Sequence, residues 1–458
     1  MKSFRVFRRA LPGKVIWAVS PRSPLSASTV LRRISTSASY QNPAPNANVS
    51  KSDSGRLVPP SAIYNRPDGL QLETPVEENR NVLPWFWLRD NCRCMSCVNQ
   101  DTMQRNFKTF DIPADIKASE AIREETGVRV KWSDGHESFY PWGFINAYTT
   151  SGRRSNLVNS HERIYFGAEI ASSPPQVYYQ SVMGAKQGLA DMTNKIIKYG
   201  FVFVTGTPFD DPEKTKELLE RIAFIRETHY GGFYDFTPDL AMADTAYTNL
   251  ALPAHTDTTY FTEPAGLQAF HLLSHTPAPG ADKAAQAAEG GKSLLVDGFH
   301  AAKILQEEDP EAFNVLATKG VLWHASGNKD ISITPYKLFP VIERYGKVLQ
   351  RIRWNNDDRG VLPLDRPSGW NNTAISATAW YDAARKWDEI LRRKEMECWI
   401  QLKPGSVLIF DNWRVLHGRS AFEGIRRICG GYINRDDFIS RWKHSNFNEQ
   451  LVHNSVRG

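Results

Sequence analysis

The spacing of apolar residues predicts a helix, a buried strand and a second helix in the middle of the chain. Apolar residues recur at helical spacing over residues 185–198, and Gly200 ends that helix. The apolar run 201–204 then predicts a buried strand. Asp211 and Pro212 have the residue types of a helix start. The second helix would place four apolar residues on one side, namely Leu218, Leu219, Ile222 and Ile225.

Many short apolar segments follow, with turn residues between them. We predict strands at residues 266–273, 292–296, 348–354, 398–402 and 406–410, and one helix at about 378–394. This pattern favours a mainly β fold with flanking helices, such as a barrel or a jelly roll. A run rich in Ala and Gly, residues 277–291, predicts a surface insertion between two strands.

Changes in composition divide the chain into three parts. Residues 41–60 are rich in Asn, Pro and Ser, which is typical of a linker. The polar stretch 149–160 separates an aromatic, strand-like segment from the rest of the chain. We therefore predict a leader and linker at 1–60, a small β-rich domain at 61–155 and a larger domain at 165–458.

Charge is distributed unevenly along the chain. The first fifty residues contain eight Lys or Arg and no acidic residue, and they are rich in Ser. This composition predicts a mitochondrial transit peptide and a matrix location, with a disordered basic tail as the alternative. Removing those eight from the 56 basic residues leaves 48 against 50 acidic residues. A nearly neutral body gives no reason to expect a nucleic-acid partner, and the absence of a long apolar run argues against a membrane span.

Three of the five cysteines lie within six residues, at Cys92, Cys94 and Cys97, and His136 follows later. Three thiolates and one imidazole suit a closed, tetrahedral structural zinc site. Such a site would hold the small domain together without taking part in catalysis. Three free thiols are the alternative, and Cys398 and Cys429, which lie in predicted strands, are expected in the core.

A His-x-Asp pair, His255 and Asp257, is the main candidate for redox chemistry, together with His417 at 160 residues beyond Asp257. Two imidazoles and one carboxylate on one face of a metal are the ligands of non-haem iron(II) oxygenases. In an extended segment the side chains of residues 255 and 257 point to the same side. A lone His-x-Asp pair is common by chance, so the surrounding sequence has to decide whether this pair indicates an iron site.

That context resembles the trimethyllysine and γ-butyrobetaine dioxygenase family. The similar segments are 255–271 (HTDTTYFTEPAGLQAFH), 295–299 (LVDGF), 353–356 (RWNN) and 426–432 (RRICGGY), together with the Cys cluster and the preceding WLRD at 87–90. The resemblance covers roughly residues 62–445. It implies a double-stranded β-helix (jelly-roll) catalytic domain plus a small zinc-stapled domain.

The resemblance also implies the cofactors and their ligands. His255, Asp257 and His417 would bind iron(II). Arg426 would pair with the distal carboxylate of the co-substrate 2-oxoglutarate, with help from Ser293, because a guanidinium grips a carboxylate through two parallel hydrogen bonds. Strand alternation sends the neighbouring Arg427 to the opposite face. Ascorbate is a further cofactor that the resemblance implies.

The family recognises a trimethylammonium group, which cannot donate a hydrogen bond, with the faces of aromatic rings. The matching positions are Tyr230, Tyr234, Tyr247 and Tyr432. Tyr234 departs from the Trp that the family leads us to expect. Packing in the core is the alternative for all four. Asp244 and either Asn355 or Asn356 are candidates for the polar end of the substrate.

The sequence therefore predicts hydroxylation of Nε-trimethyllysine to its 3-hydroxy product, the first step of carnitine synthesis. γ-Butyrobetaine is the alternative substrate. Two other classes are disfavoured: a non-catalytic binder of methylated ammonium groups, because the iron ligands and Arg426 are intact, and a zinc-finger module for nucleic acid, because the body of the chain is nearly neutral. The sequence leaves the oligomeric state open, with a homodimer as one option.

Overall fold

The computed structural model describes residues 60–73, 82–149, 161–237, 248–277, 290–362, 364, 376–449 and 451–453. The predicted transit peptide, most of the predicted insertion, the separating stretch 150–160, and the candidates Asp244 and Tyr247 lie outside these residues. Residues 57–458 form one compact unit, so the boundary between a small and a large domain stays a prediction. No helix within the described ranges is long and apolar enough to cross a membrane.

The described strands, in chain order, are β1 (Ala62–Asn65), β2 (Gly69–Glu73), β3 (Val82–Pro84), β4 (Ala118–Arg123), β5 (Gly127–Trp132), β6 (Glu137–Pro141), β7 (Gln176–Tyr178), β8 (Phe201–Thr205), β9 (Tyr234–Phe236), β10 (Leu252–His255), β11 (Leu267–Thr276), β12 (Ser293–Asp297), β13 (Ile342–Tyr345), β14 (Val348–Ile352), β15 (Cys398–Ile400), β16 (Ser406–Asp411), β17 (Val415–Arg419) and β18 (Ile425–Ile433). The α-helices are α1 (Trp85–Asp90), α2 (Trp142–Thr149), α3 (Tyr179–Gly184), α4 (Lys186–Tyr199), α5 (Glu213–Glu220), α6 (Gly298–Glu308), α7 (Pro310–Thr318), α8 (Ala377–Leu391) and α9 (Arg435–Asn446). Short 3₁₀ helices lie at Thr109–Asp111 and Ala168–Ser172.

Two sheets form the larger part of the fold, as the predicted jelly roll requires. The larger sheet has the order β7-β8-β16-β11-β18-β9, and the smaller has the order β10-β17-β12-β15. The apolar residues Phe203, Leu272, Leu295 and Phe410 from both sheets pack together in one buried cluster. This cluster fills one part of the space between the sheets, and the candidate site occupies another part.

Helices cover the outer faces of both sheets. Helices α3, α4, α5 and α9 pack on the larger sheet, whose residues Val202 and Val407 point outward. Helices α6, α7 and α8 pack on the smaller sheet around Val296 and Leu416. Because neighbouring residues of a strand point to opposite faces, each strand supplies one set of side chains to the helices and another to the interior.

The element predictions agree with the structure in type and differ mainly at the ends. Helix α4 ends at Gly200, which has φ of +84° and adopts the left-handed conformation that glycine allows. Helix α5 ends at Glu220, so Ile222 and Ile225 lie beyond it, although both pack in the same core cluster. Cys398 and Cys429 are fully buried in β15 and β18, as predicted.

The N-terminal part is built from two three-stranded antiparallel sheets, β1-β2-β3 and β4-β5-β6. Their shared core contains Leu70, Leu88, Val128, Trp132 and Ile145. Alternation in β5 buries Val128, Val130 and Trp132 and leaves Lys131 exposed. The short helix α1, with the sequence WFWLRD, adds Trp85 and Leu88 to this core and leads directly into the Cys cluster.

Candidate active site

The two candidate histidines face each other across neighbouring strands. His255 ends β10 and His417 lies within β17, and their Cα atoms are direct partners in the antiparallel ladder. Their ring centroids are 4.3 Å apart. Nδ1 of His255 lies 2.8 Å from the carbonyl oxygen of Pro253, and a carbonyl only accepts, so Nδ1 donates. The lone pair of His255 is therefore on Nε2, which faces the third candidate, Asp257.

Asp257 points to the same side as His255, as the alternation predicted. Its Oδ1 lies 3.2 Å from Nε2 of His255 and 3.8 Å from Nε2 of His417. Donor atoms of all three residues lie within 4.8 Å of one another. Thr256 between them points away, and its backbone N–H donates to the carbonyl of Trp354 at 2.7 Å. The arrangement can hold one metal ion through two nitrogens and one oxygen.

The backbone around Asp257 is held by buried partners. The Asn412 side chain accepts from the N–H of Asp257 at 2.9 Å and donates to its carbonyl at 3.0 Å. The next residue, Thr258, has φ of +58°, which is rare for a β-branched residue and costs on the order of 1–3 kcal/mol. Its side chain accepts from the N–H of Ala265 at 2.8 Å. A strained position held in this way is typical of a functional site.

The surroundings of Asp257 and His417 favour the protonation forms that bind metal. For His255, burial alone would lower the pKa, but the hydrogen bond and the charge of Asp257 outweigh it and raise the pKa. Burial lowers the pKa of His417 to about 3, and the neighbouring His255 adds to the effect. Burial alone would raise the pKa of Asp257, but His417, His255 and the hydrogen bond from Tyr432 outweigh it and hold the pKa well below its usual range. At neutral pH the site therefore contains a carboxylate and a neutral imidazole, which are the forms that bind metal.

A buried cation lies in the same cavity. Arg426 is 5% exposed, and its Nε atom is buried without a hydrogen-bond partner among the described residues. Burial, with the charge of Arg419, lowers the pKa of Arg426 to about 10. Arg427 points outward and pairs with Asp235 at 2.5 Å, so the predicted alternation is confirmed. Ser293 lines the cavity as well. A buried guanidinium with an unsatisfied donor fits an anionic ligand such as a carboxylate.

Aromatic rings line another part of this cavity. Tyr230, Tyr234 and Tyr432 are among the lining residues, together with Tyr260, Phe236 and Phe270. The ring centroids of Tyr234 and Tyr432 are 6.1 Å apart in an edge-on arrangement. The Tyr234 hydroxyl donates to the carbonyl of Ala269 at 2.7 Å, close to Gly430, where a side chain would collide with it. The structure thus brings three of the four predicted cage tyrosines together.

The two asparagines predicted to bind the polar end of the substrate lie in different surroundings. Asn355 lines the cavity, whereas Asn356 is exposed and its side chain accepts from Arg359 at 3.3 Å. Of these two alternatives the structure leaves Asn355 as the candidate, because successive residues point to different sides. Asp357 and Asp358 line the cavity and were missed by sequence reasoning. Their position directly after the RWNN segment was the available signal.

A second cluster of metal-binding side chains lies in the N-terminal part. Nε2 of His136 lies 3.2, 3.6 and 3.4 Å from the sulfurs of Cys92, Cys94 and Cys97. Arg89 joins the two halves, since it contacts the Cys97 sulfur at 3.5 Å and Asp134 at 2.9 Å. Burial, with the charge of Cys92, raises the pKa of Cys97 to about 12. A bound cation would offset that penalty by stabilising the thiolates.

Two family models match separate parts of the chain. Residues 159–432 match the model of the taurine catabolism dioxygenase TauD, TfdA family, and residues 63–146 match that of the gamma-butyrobetaine hydroxylase-like N-terminal region. The chain is 54% identical to a trimethyllysine dioxygenase of Neurospora crassa, over 96% of this chain and 97% of that protein. It is 39% identical to a mitochondrial trimethyllysine dioxygenase of Homo sapiens, over 78% of this chain and 81% of that protein. A solved taurine dioxygenase of Burkholderia xenovorans is 12% identical with a TM-score of 0.37, covering 54% of this chain and 80% of that one.

Proposed function

The chain belongs to the taurine catabolism dioxygenase TauD, TfdA family, and on that premise we propose that it hydroxylates Nε-trimethyllysine with iron(II), 2-oxoglutarate and dioxygen. The product is 3-hydroxy-Nε-trimethyllysine, the first intermediate of carnitine synthesis. One observation carries the proposal: His255, Asp257 and His417 converge within 4.8 Å in a cavity that also contains the buried Arg426.

Each part of the site has a role in this proposal. His255, Asp257 and His417 hold iron(II), which supplies the oxidising power that side chains lack. Arg426 pairs with the distal carboxylate of 2-oxoglutarate, and Ser293, which lines the same cavity, assists it. The partly buried Phe270 and the buried Ile428 beside this region limit the access of water, which strengthens the ion pair.

The substrate is recognised at both ends. The rings of Tyr230, Tyr234 and Tyr432 surround the trimethylammonium group, with Tyr247 as a fourth member, and each good contact contributes about 0.5–2 kcal/mol. Asn355, with Asp244, binds the polar end. Holding both ends aims one carbon at the metal, which is the main task of the protein in such a reaction.

The carboxylates of Asp357 and Asp358 favour trimethyllysine over γ-butyrobetaine. Both residues line the cavity. Trimethyllysine carries an α-ammonium group beside its carboxylate, whereas γ-butyrobetaine has only a carboxylate at that end. Acidic side chains attract the α-ammonium group of trimethyllysine and repel the lone carboxylate of γ-butyrobetaine. γ-Butyrobetaine stays the alternative substrate, since the N-terminal region matches a gamma-butyrobetaine hydroxylase-like model.

The remaining assignments complete the proposal. Cys92, Cys94, Cys97 and His136 hold a structural zinc ion, since three thiolates and one imidazole fill a tetrahedral site. Ascorbate serves as the reductant that keeps iron in the ferrous state. The protein acts in mitochondria, in the matrix, as the composition of its first fifty residues predicts.

The test is turnover with each candidate substrate. Purified protein is incubated with iron(II), 2-oxoglutarate and either trimethyllysine or γ-butyrobetaine, and succinate and the oxygenated product are measured by mass spectrometry. We expect trimethyllysine to be the preferred substrate and the His255→Ala and Asp257→Ala variants to be inactive. His324→Ala, which changes a histidine outside both metal clusters, is the matched control and should stay active. A wild-type protein that forms succinate with neither substrate would contradict the proposal.

A further inference from the structure

The two oxygens of the Asp257 carboxylate have different partners. Oδ1 faces Nε2 of His255 at 3.2 Å and Nε2 of His417 at 3.8 Å. Oδ2 faces the opposite way and accepts two hydrogen bonds, from Nε2 of Gln268 at 2.6 Å and from the hydroxyl of Tyr432 at 2.8 Å. The first oxygen thus points to the metal position and the second to the wall of the cavity.

The two donors come from adjacent positions of the larger sheet. Gln268 in β11 and Tyr432 in β18 are direct partners in the antiparallel ladder. Gln268 is 2% exposed and Tyr432 is 7% exposed. β11 lies between β16 and β18 in the middle of the sheet, so neither donor can move without disturbing the core. The sheet therefore fixes where Oδ2 can be.

The arrangement of Gln268 is costly for stability, which argues for a functional role. The carboxylate of Asp257 only accepts, so Gln268 must turn its NH₂ group toward it. Its Oε1 is then buried, and within the described ranges it has no hydrogen-bond partner. An unsatisfied buried acceptor costs about 1–3 kcal/mol. An apolar residue of similar size would avoid that cost, so the donor to Asp257 is the reason for a glutamine here.

We propose that Gln268 and Tyr432 are positioning residues that hold Asp257 as a ligand through Oδ1 alone. This inference rests on the proposed function. Each carboxylate oxygen offers about two lone-pair sites, and the two donors occupy those of Oδ2. Two imidazole nitrogens and a single carboxylate oxygen leave three positions of an octahedral metal for 2-oxoglutarate and dioxygen. A second oxygen from Asp257 would occupy one of them.

The inference adds a second role for Tyr432 to the one it has in the proposed cage. The sequence suggested that its ring forms one side of the trimethylammonium cage. In the structure its hydroxyl donates to Asp257 and its ring stands edge-on to Tyr234. Tyr432→Phe separates the two roles, because it keeps the ring and removes only the hydroxyl.

The experiment measures Mn(II) binding, because manganese prefers nitrogen and oxygen ligands over thiolates. Metal-depleted full-length protein is titrated with Mn(II) while the free ion is followed by electron paramagnetic resonance. We expect the dissociation constant to rise about 10- to 100-fold in both Gln268→Leu and Tyr432→Phe, as for other residues that orient metal ligands. Less product should also form per succinate in both variants.

Tyr234→Phe is the matched control. It removes a phenol hydroxyl from the same cavity, but one that donates to the carbonyl of Ala269 and not to Asp257. Its Mn(II) affinity should equal that of the wild type. Unchanged Mn(II) affinity in both Gln268→Leu and Tyr432→Phe would overturn the inference, and so would an equal loss in Tyr234→Phe. Wild-type protein that binds no Mn(II) would overturn the iron site itself, and this inference with it.

Discussion

Asp297 and Arg414 form a buried ion pair that joins four segments of the fold. The Asp297 carboxylate accepts from Nε of Arg414 at 3.1 Å and from its terminal nitrogen at 2.7 Å. It also accepts the backbone N–H groups of Phe166, Phe299 and His300. Arg414 donates in turn to the carbonyls of Lys198 and Ile164. The side chains of Arg414 and Asp297 are 1% and 0% exposed.

Replacing Asp297 by alanine should strongly destabilise the protein. The change leaves the charge of Arg414 buried and unpaired, which costs about 3–5 kcal/mol. It also removes the N-cap of α6, which contributes about 1 kcal/mol. Asp297→Asn keeps an acceptor for the cap and should therefore lie between alanine and the wild type. In the double variant Asp297→Ala/Arg414→Met the loss should be smaller than the sum of the two single losses, since no charge is left alone.

The assay is urea unfolding at neutral pH, followed by circular dichroism and tryptophan fluorescence. Glu162→Ala is the matched control, because Glu162 pairs with Lys198 at 2.9 Å but the two side chains are 72% and 29% exposed. An exposed pair contributes at most about 1 kcal/mol. If Asp297→Ala unfolded at the same urea concentration as Glu162→Ala, the buried pair would not have the role assigned to it.

Three further predictions concern the ligand sites and the core. Arg426→Lys should raise the KM for 2-oxoglutarate about tenfold or more, since one of two charged hydrogen bonds of about 1.5–3 kcal/mol is lost. Arg427 points outward, so Arg427→Lys should leave this KM unchanged. Equal changes of the KM in the two variants, measured in steady-state assays, would contradict the assignment. Cys94→Ser should lose one equivalent of zinc by atomic absorption and lower the melting temperature, and a variant that keeps its zinc would exclude Cys94 as a ligand. Burial lowers the pKa of His271 from 6.5 to about 4, so the folded state favours the neutral form. The contribution of His271 to the free energy of unfolding is therefore complete above about pH 6.5. It falls by about 3 kcal/mol as the pH drops to about 4. Urea midpoints between those pH values should change less in His271→Gln than in the wild type, and parallel curves would refute this.

Features that depend on local spacing could be predicted from the sequence. The pair His255 and Asp257 follows from alternation in an extended segment, and the burial of Arg426 opposite Arg427 follows from the same rule. Likewise, Gly200 after a periodic apolar pattern correctly predicted the end of α4. His417 needed the resemblance, because nothing in its neighbourhood indicates that β17 pairs with β10.

Other features were not predicted, either because they depend on tertiary contacts or because a local sequence signal was overlooked. Gln268 is an ordinary strand residue in the sequence, and only the pairing of β11 with β18 brings it to Asp257. Helix α7 begins at Pro310, and its N-cap Asp309 accepts a hydrogen bond from the N–H of Ala312, so this helix start could have been predicted. Asp358 contacts Thr259 from 99 positions away in the chain, a distance that no local pattern spans.

The facing histidines have a consequence for the order in which the fold opens. β10 is the outermost strand of the smaller sheet, and its ladder partner is β17. A metal ion shared by His255 and His417 is therefore a cross-link between the rim of the sheet and its interior. A ligand that binds only the native state stabilises it by about 2.7 kcal/mol at a hundred times its dissociation constant. Chelation of the metal thus removes one cross-link that holds the rim strand, and amide exchange in Leu252–His255 should accelerate before the larger sheet is affected.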